Sequence, residues 1–492
     1  MRRIAALVLF LAAASLHAAS LQPTDAAARD IEAFVRRVLR DIPEVKGVGV
    51  AVVRDGKPYY ANAFGYADAE AKIAAGPRTG YYIASSTKSY TGLACAVLAA
   101  RGRLDLDAPI AKYLPEVTSD TGRLTLRQFL THTAPIINEP ITFHTAYTGR
   151  HTPELLLSWL NASKPRKEGF QYDNLGYIVA SMVIERVTHK PWQQSLDDLV
   201  FKPLGMRETT AYMSVAQTRP MAVPYDVDRK AEMVRIDYMK NDKMMHAAGG
   251  IVTTPADLAR WLAANVNDGG IGGKQFLPAA AFAEAHKQQV EAKAERDWFK
   301  GSGYGFGWYQ ADYAGDKLLF HLGGFNGWRA HVSFMPEKKA GVAVVINSGG
   351  MGGRVINQIA AYIYDRLLEK PDAEAANNER LTKFLAEREP QRQRYLAEIE
   401  KRAQRPWMLK HPNEAYVGRY ENALFGTMVI EQRNGKLVAT LANLTADVEA
   451  FTEPESARVE MPPGNGSVLR FTFDGDAVQS LKWDDEEFRA LK

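Results

Sequence analysis

Ser85 and Lys88 stand three residues apart in the stretch YYIASSTKSYTGLACAVLAAR, residues 81 to 101, where an extended run passes into a helix. Tyr81, Tyr82 and Ile83 suit a short strand, whereas Leu93, Val97 and Leu98 recur at helical spacing with alanines between them. Residues three apart on a helix face the same way, so the Ser85 hydroxyl and the Lys88 amine fall within reach of each other. Serine alone is a weak nucleophile, and a lysine whose pKa is lowered by burial can serve as its base. A helix N-terminus beside Ser85 adds backbone N–H groups that favour the anion formed when an acyl carbonyl is attacked. The bland alternative is a helix cap followed by a surface lysine. The chain holds seventeen serines, and Ser85 is the only one with lysine at the third position after it.

Two later segments supply partners. In FQYDNLGY, Tyr172 and Asn174 precede a helical run from Ile178 to Val187, so one loop can aim both into a cleft. The phenol of Tyr172 suits proton exchange with Lys88, and the Asn174 amide suits a substrate carbonyl. Leu318 to Gly324 reads as a strand ending in HLGG, which carries His321, and Gly323 and Gly324 let a substrate lie against the backbone. The Gly324 N–H is then a second oxyanion donor beside that of Ser85. Each segment alone also fits a structural role: a capping Asn beside a packed aromatic, an ordinary strand histidine. A dyad through His132 is not assigned, because a buried structural histidine beside the nucleophile helix accounts for it equally well.

The elements that must hold these groups follow from the rest of the chain. At 492 residues it exceeds what one core usually organises, which predicts one large domain and a smaller one. Its composition is 46% hydrophobic and 24% charged with a formal charge of +4, scattered, which gives no footprint for nucleic acid. Met1-Arg2-Arg3, an apolar run from Ile4 to Leu16 and small residues at 18 to 20 read as an export signal, so a secreted or periplasmic protein is expected, with no stable membrane span. The single cysteine, Cys95, reads as core packing. No metal site is expected, since the ten histidines form no ligand pattern, and no phosphate-binding loop is present.

Ala26 to Arg40 reads as an amphipathic helix. Val48 to Val53 and Pro58 to Phe64 flank Asp55-Gly56 as a hairpin, which suggests an antiparallel sheet covered on one face. In MHAAGGIVTTPADLARWL, from Met245, Gly249-Gly250 reads as a turn and Thr254-Pro255 as a helix start. Arg329 to Met335 and Gly341 to Asn347 read as strands and Arg354 to Leu368 as a helix. Residues 371 to 408 are charged and helix-prone, a helical linker interrupted at Pro390. From about Pro412 short β-type runs with turns such as Asn434-Gly435 predict a small all-β domain.

Ser85-x-x-Lys88, Tyr172-x-Asn174 and His321-x-Gly323, in that order, resemble the serine β-lactamase and penicillin-binding protein superfamily. The likeness is to its class C-type branch, with D-alanyl-D-alanine carboxypeptidases, D-aminopeptidases and esterases, over roughly residues 30 to 370. Residues 409 to 492 resemble the lipocalin-like domain of some D-stereospecific peptidases. The resemblance implies an α/β fold of the α+β type: an antiparallel sheet flanked by helices, an all-helical region, and a small C-terminal β-barrel. It implies a hydrolase domain over residues 26 to 370, with Ser85 as acylated nucleophile and Lys88 and Tyr172 as proton-transfer partners. Asn174, His321, Gly323 and Gly324 would hold the substrate and oxyanion, and no cofactor is implied. The chain departs from the β-lactamase pattern where His321-Leu322 replaces Lys-Thr. A neutral imidazole and a leucine do not bind a carboxylate as those residues do, so small esters or D-amino-acid amides and peptides are favoured as substrates. The alternatives are a β-lactamase and a catalytically weak protein that binds cell-wall peptides.

Overall fold

The computed structural model describes residues 25–491 apart from residue 463. The expected export signal, residues 1 to 20, lies outside them. Nine strands form one antiparallel sheet in the order Val290–Arg296, Phe299–Tyr304, Tyr309–Tyr313, Asp316–Phe325, Trp328–Met335, Ala340–Ile346, Gly47–Arg54, Lys57–Asp68 and Ile73–Ala74. The N-terminal hairpin therefore closes onto strands that lie almost three hundred residues later, with Val50 opposite Val344. Its turn sits where predicted, and Asp55 and Gly56 both take positive φ (52° and 70°), as a tight two-residue hairpin requires.

The sheet is covered on both faces, not on one as the hairpin alone suggested. Val48, Val50 and Val52 pack with Ile31 and Val35 of the helix Ala26–Asp41 and with Ile356, Ile359 and Ile363 of the helix Gly352–Leu367. Ala51 and Val53 point the other way, into a core with Leu258 and Leu262 of the helix Pro255–Val266. A strand buried on both sides reads as a continuous apolar run, and GVGVAVVR is one. The mainly helical part of the chain, residues 75 to 289, is inserted between the third and fourth strands in sequence. It carries the helices Thr87–Ala100 and Leu175–Thr188 into the second core.

The helix Ala373–Ala403 runs unbroken through Pro390, where an interruption was expected. Pro390 lies on an exposed stretch, so water can take the Ala386 carbonyl that the proline leaves without its helical partner. Its first half is anchored by Asp365, a buried carboxylate that accepts from Arg380 at 2.7 Å, Lys370 at 2.8 Å and the Tyr313 hydroxyl at 2.8 Å. Beyond it, nine further strands between Gly418 and Ala490 form a nearly closed antiparallel barrel whose interior is filled by Met428, Ile430, Leu441, Leu469, Leu481 and Phe488. One residue of the inserted helical region, Phe143, enters that same core, 5.2 Å from Trp483 and 5.6 Å from Phe425 between ring centroids.

Asp365 is the charge on which the linker helix depends. Asp365→Ala strands two cations beside an apolar core and should cost about 3 kcal/mol. The check is a lowered urea midpoint, with the Lys370→Met and Arg380→Met variants each losing less.

Candidate active site

Ser85 lies in the short helical turn Ala84–Ser86 that leads directly into the helix Thr87–Ala100. Ala84 takes φ +44°, a costly conformation for a residue with a side chain, and it is held there by its surroundings. Ile83 N–H donates to the Ile251 carbonyl at 3.0 Å, and Ile251 N–H donates to the Thr87 hydroxyl at 3.1 Å. Gly323 passes so close that a Cβ there would run into the Ile83 carbonyl oxygen. Gly92 approaches Phe306 in the same way, 2.7 Å from its carbonyl oxygen to the position a Cβ would occupy. Glycine at these contacts lets the sheet and residues 303–308 (GYGFGW) press against the Ser85 turn and the helix that follows it.

Lys88 is fully buried, and its Nζ makes three hydrogen bonds: to Ser85 Oγ at 3.2 Å, Asn174 Oδ1 at 2.8 Å and the Ala248 carbonyl at 2.9 Å. Its ammonium lies 4.8 Å from the ring centre of Tyr172 and 5.7 Å from that of Tyr177. None of these groups is a carboxylate. Burial therefore brings the Lys88 pKa down to about 7, with only the charge of Asp173 opposing. Asp173 is itself paired with Arg166 at 2.5 Å.

Tyr172 sits on the loop before the helix Leu175–Thr188, with 41% of its surface open. Burial of its phenol pushes the pKa well above the usual tyrosine value, and a hydrogen bond with Ser85 works against that shift. The phenol is thus a proton donor at neutral pH. His132 packs against it, ring centres 4.6 Å apart. The His132 Nδ1 accepts from the Asp173 N–H at 3.3 Å, which leaves Nε2–H to donate to the Tyr304 hydroxyl at 3.2 Å. Burial holds its pKa at about 4, so His132 is a neutral wedge that orients the Tyr172 loop.

His321 is also buried, in the opposite tautomer. Its Nδ1 lies 2.7 Å from the Leu322 carbonyl, which only accepts, so Nδ1 carries the proton. Burial, then the charge of Lys88, holds its pKa well below the usual histidine value, and Nε2 is left as a lone pair with no partner. The strand Tyr309–Tyr313 pairs with its neighbour only as far as Phe320, which leaves the edge from Leu322 to Phe325 open. The two-residue turn at 326–327 makes Phe325 and Trp328 a hydrogen-bonded pair, so Gly324 opposite Arg329 is a non-hydrogen-bonded one. The Gly324 N–H therefore points away from its partner strand, to the open edge. There it borders a cleft of about 350 Å³ with Ser85, Tyr172, His321, Gly323, Arg296 and Arg329 among its lining residues.

The fold brings all seven residues expected from the sequence to one place. The Asn174 Oδ1 is taken by Lys88, which leaves its Nδ2 as the free amide donor, the group expected to meet a substrate carbonyl. Missed were the Ala248 carbonyl and Arg329, in segments read as purely structural, and Arg296 and Tyr309, to which the sequence reading gave no role. A backbone carbonyl leaves no side-chain signal in sequence. Among the described residues, no group of three or more His, Cys, Asp or Glu could hold a metal ion, and no helix is long and apolar enough to cross a membrane.

Protein flp of Staphylococcus aureus (strain MW2) is 26% identical over 314 residues, 62% of this chain and 60% of that protein. The chain thus spans about 60% of the length of this curated relative. Among solved structures, the octameric penicillin-binding protein homologue from Pyrococcus abyssi superposes with a TM-score of 0.60 at 21% identity, covering 94% of this chain and 99% of that one. The D-amino acid amidase from Ochrobactrum anthropi SV3, complexed with L-phenylalanine amide, gives 0.57 at 23% identity over 71% of this chain and 99% of that one. Both likenesses are of fold. Residues 35–364, which include the nucleophile turn, the Tyr172 loop and the open-edged strand, match the Beta-lactamase family, and the chain belongs to it.

Proposed function

We propose that the protein is a serine hydrolase that acylates and deacylates Ser85 with small esters or with amides and peptides of D-amino acids. One observation carries the reading: a buried Lys88 with no carboxylate partner lies 3.2 Å from the Ser85 oxygen. Neutral Lys88 takes the Ser85 proton as the oxygen attacks the substrate carbonyl. The N–H groups of Ser85 and Gly324 receive the developing oxyanion, and the Asn174 Nδ2 holds the acyl portion. The protonated Tyr172 relays a proton to the leaving group, and the reverse path activates water for deacylation. The amidase fold likeness supports amide substrates, and a neutral His321 disfavours a carboxylate at that position. Export through residues 1 to 20 is part of this proposal.

Ser85→Ala should lower turnover by about 10⁴-fold or more and abolish labelling by a serine-directed phosphonate; residual hydrolysis near the wild-type rate would sink the assignment. The ammonium form of Lys88 accepts no proton, so kcat/KM should rise with pH through an inflection near 7, where half of the lysine is neutral. A rate flat from pH 5 to 9 on a substrate limited by chemistry would exclude Lys88 as the base. Tyr172→Phe keeps the ring against His132 and Lys88 and removes only the hydroxyl. It should lower kcat by about 10²- to 10⁴-fold, with little change in the binding of a phosphonate analogue too weak to react.

A further inference from the structure

Lys240 is 5% exposed and, among the described residues, has no carboxylate partner. Its ammonium donates to the Ala146 carbonyl at 2.6 Å and, at 3.3 Å, to that of Met244. It sits 4.4 Å from the ring centre of Phe325, with Tyr147 and Tyr82 at 5.9 and 6.0 Å. Burial draws its pKa down to about 7, and its charge, with that of Lys88, acts on the buried, neutral His246. A leucine or methionine would fill an aromatic box without the desolvation cost of an ammonium, so the charge at this place calls for a role.

Its partners define that role, because they come from four different parts of the fold. Phe325 directly follows Gly324. Tyr82 lies three residues before Ser85, and its hydroxyl bonds the Gly249 carbonyl. Met244 leads into Ala247 and Ala248, whose carbonyls receive the Thr91 hydroxyl at 2.8 Å and Lys88 at 2.9 Å. Ala146 and Tyr147 belong to the turn His144–Thr148. That turn is held by the barrel: Phe143 enters its core, His144 Nε2 meets the Leu424 carbonyl at 3.0 Å, and the Asn443 amide donates to the Tyr147 carbonyl at 3.3 Å. We propose that Lys240 is a positioning residue through which the docked C-terminal barrel sets the Ala248 carbonyl and the Gly324–Phe325 edge for the reaction at Ser85. The inference rests on the acyl-transfer reading above. It gives the barrel a part in catalysis without its touching the substrate.

The test is a double-mutant cycle in the full chain with a p-nitrophenyl ester and a D-aminoacyl p-nitroanilide as probes. Lys240→Met removes the clamp and Phe143→Ala removes the barrel's anchor. Each should lower kcat about tenfold and leave KM within about twofold, and the double variant should be no slower than the slower single one, since both cut one connection. Lys240→Gln, which keeps a donor for the Ala146 carbonyl, should lose less than threefold. Should Lys240→Met fail to fold, the cycle runs with Lys240→Gln, whose smaller loss must likewise vanish in the Phe143→Ala background. Losses that multiply, or a Lys240→Met enzyme that melts lower but turns over at the wild-type kcat, overturn the inference. Hydrolysis that survives Ser85→Ala would instead overturn the reading on which it rests.

Discussion

An ammonium buried without a carboxylate is the constraint that shapes this molecule's centre. Lys88 has given up water for three neutral acceptors, the Ser85 hydroxyl, the Asn174 amide oxygen and the Ala248 carbonyl. An ion pair would have been a simpler way to bury it, but a carboxylate in contact would hold the proton on the amine and raise its pKa. Neutral dipoles satisfy the three N–H groups while leaving deprotonation within reach at neutral pH. Asp173, whose charge does act on Lys88, is turned to Arg166 at 2.5 Å, which limits its pull.

Holding three acceptors around one nitrogen explains much of the surrounding architecture. Ser85, Asn174 and Ala248 come from three segments, and each is pinned by contacts that tolerate little movement. The nucleophile turn is clamped between Ile251 and Gly323, where even a methyl group would collide. The Tyr172–Asn174 loop is braced by His132, whose tautomer is set by the Asp173 N–H and the Tyr304 hydroxyl. The Ala247–Ala248 segment is tied to the nucleophile helix through Thr91 at 2.8 Å. Positive φ at Ala84 and His132, 44° and 58°, falls on the first of these segments and on the residue that braces the second, where the surroundings outweigh local preference.

This also sets what could be read from sequence. Side-chain chemistry at short spacing, such as Ser85 with Lys88 or Tyr172 with Asn174, is visible because residue types and helical geometry are both local. Strands and turns were legible for the same reason: GVGVAVVR around Asp55-Gly56 and the Asn434-Gly435 turn follow from propensity and period. Three features escaped. Coverage of the sheet on both faces depends on the helices Ala26–Asp41 and Gly352–Leu367 on one side and Pro255–Val266 on the other, which no window of sequence contains. The helix through Pro390 depends on that stretch facing solvent. The Ala248 carbonyl, Arg296 and Arg329 join the site by tertiary approach alone.

The substitution of His321-Leu322 for a cationic and a hydroxyl side chain acquires a definite meaning from the hydrogen bonds. With Nδ1–H spent on the Leu322 carbonyl at 2.7 Å, the imidazole of this cleft-lining residue keeps a lone pair, not a donor, on Nε2. A second protonated side chain there would repel the ammonium of Lys88 and press its pKa lower still, whereas a neutral imidazole leaves that pKa to burial. The backbone of the same strand keeps its open edge and the outward N–H of Gly324, which any side chain at 321 preserves. The outward N–H and the charge at this wall are therefore set independently, the first by strand register and turn length, the second by a single residue.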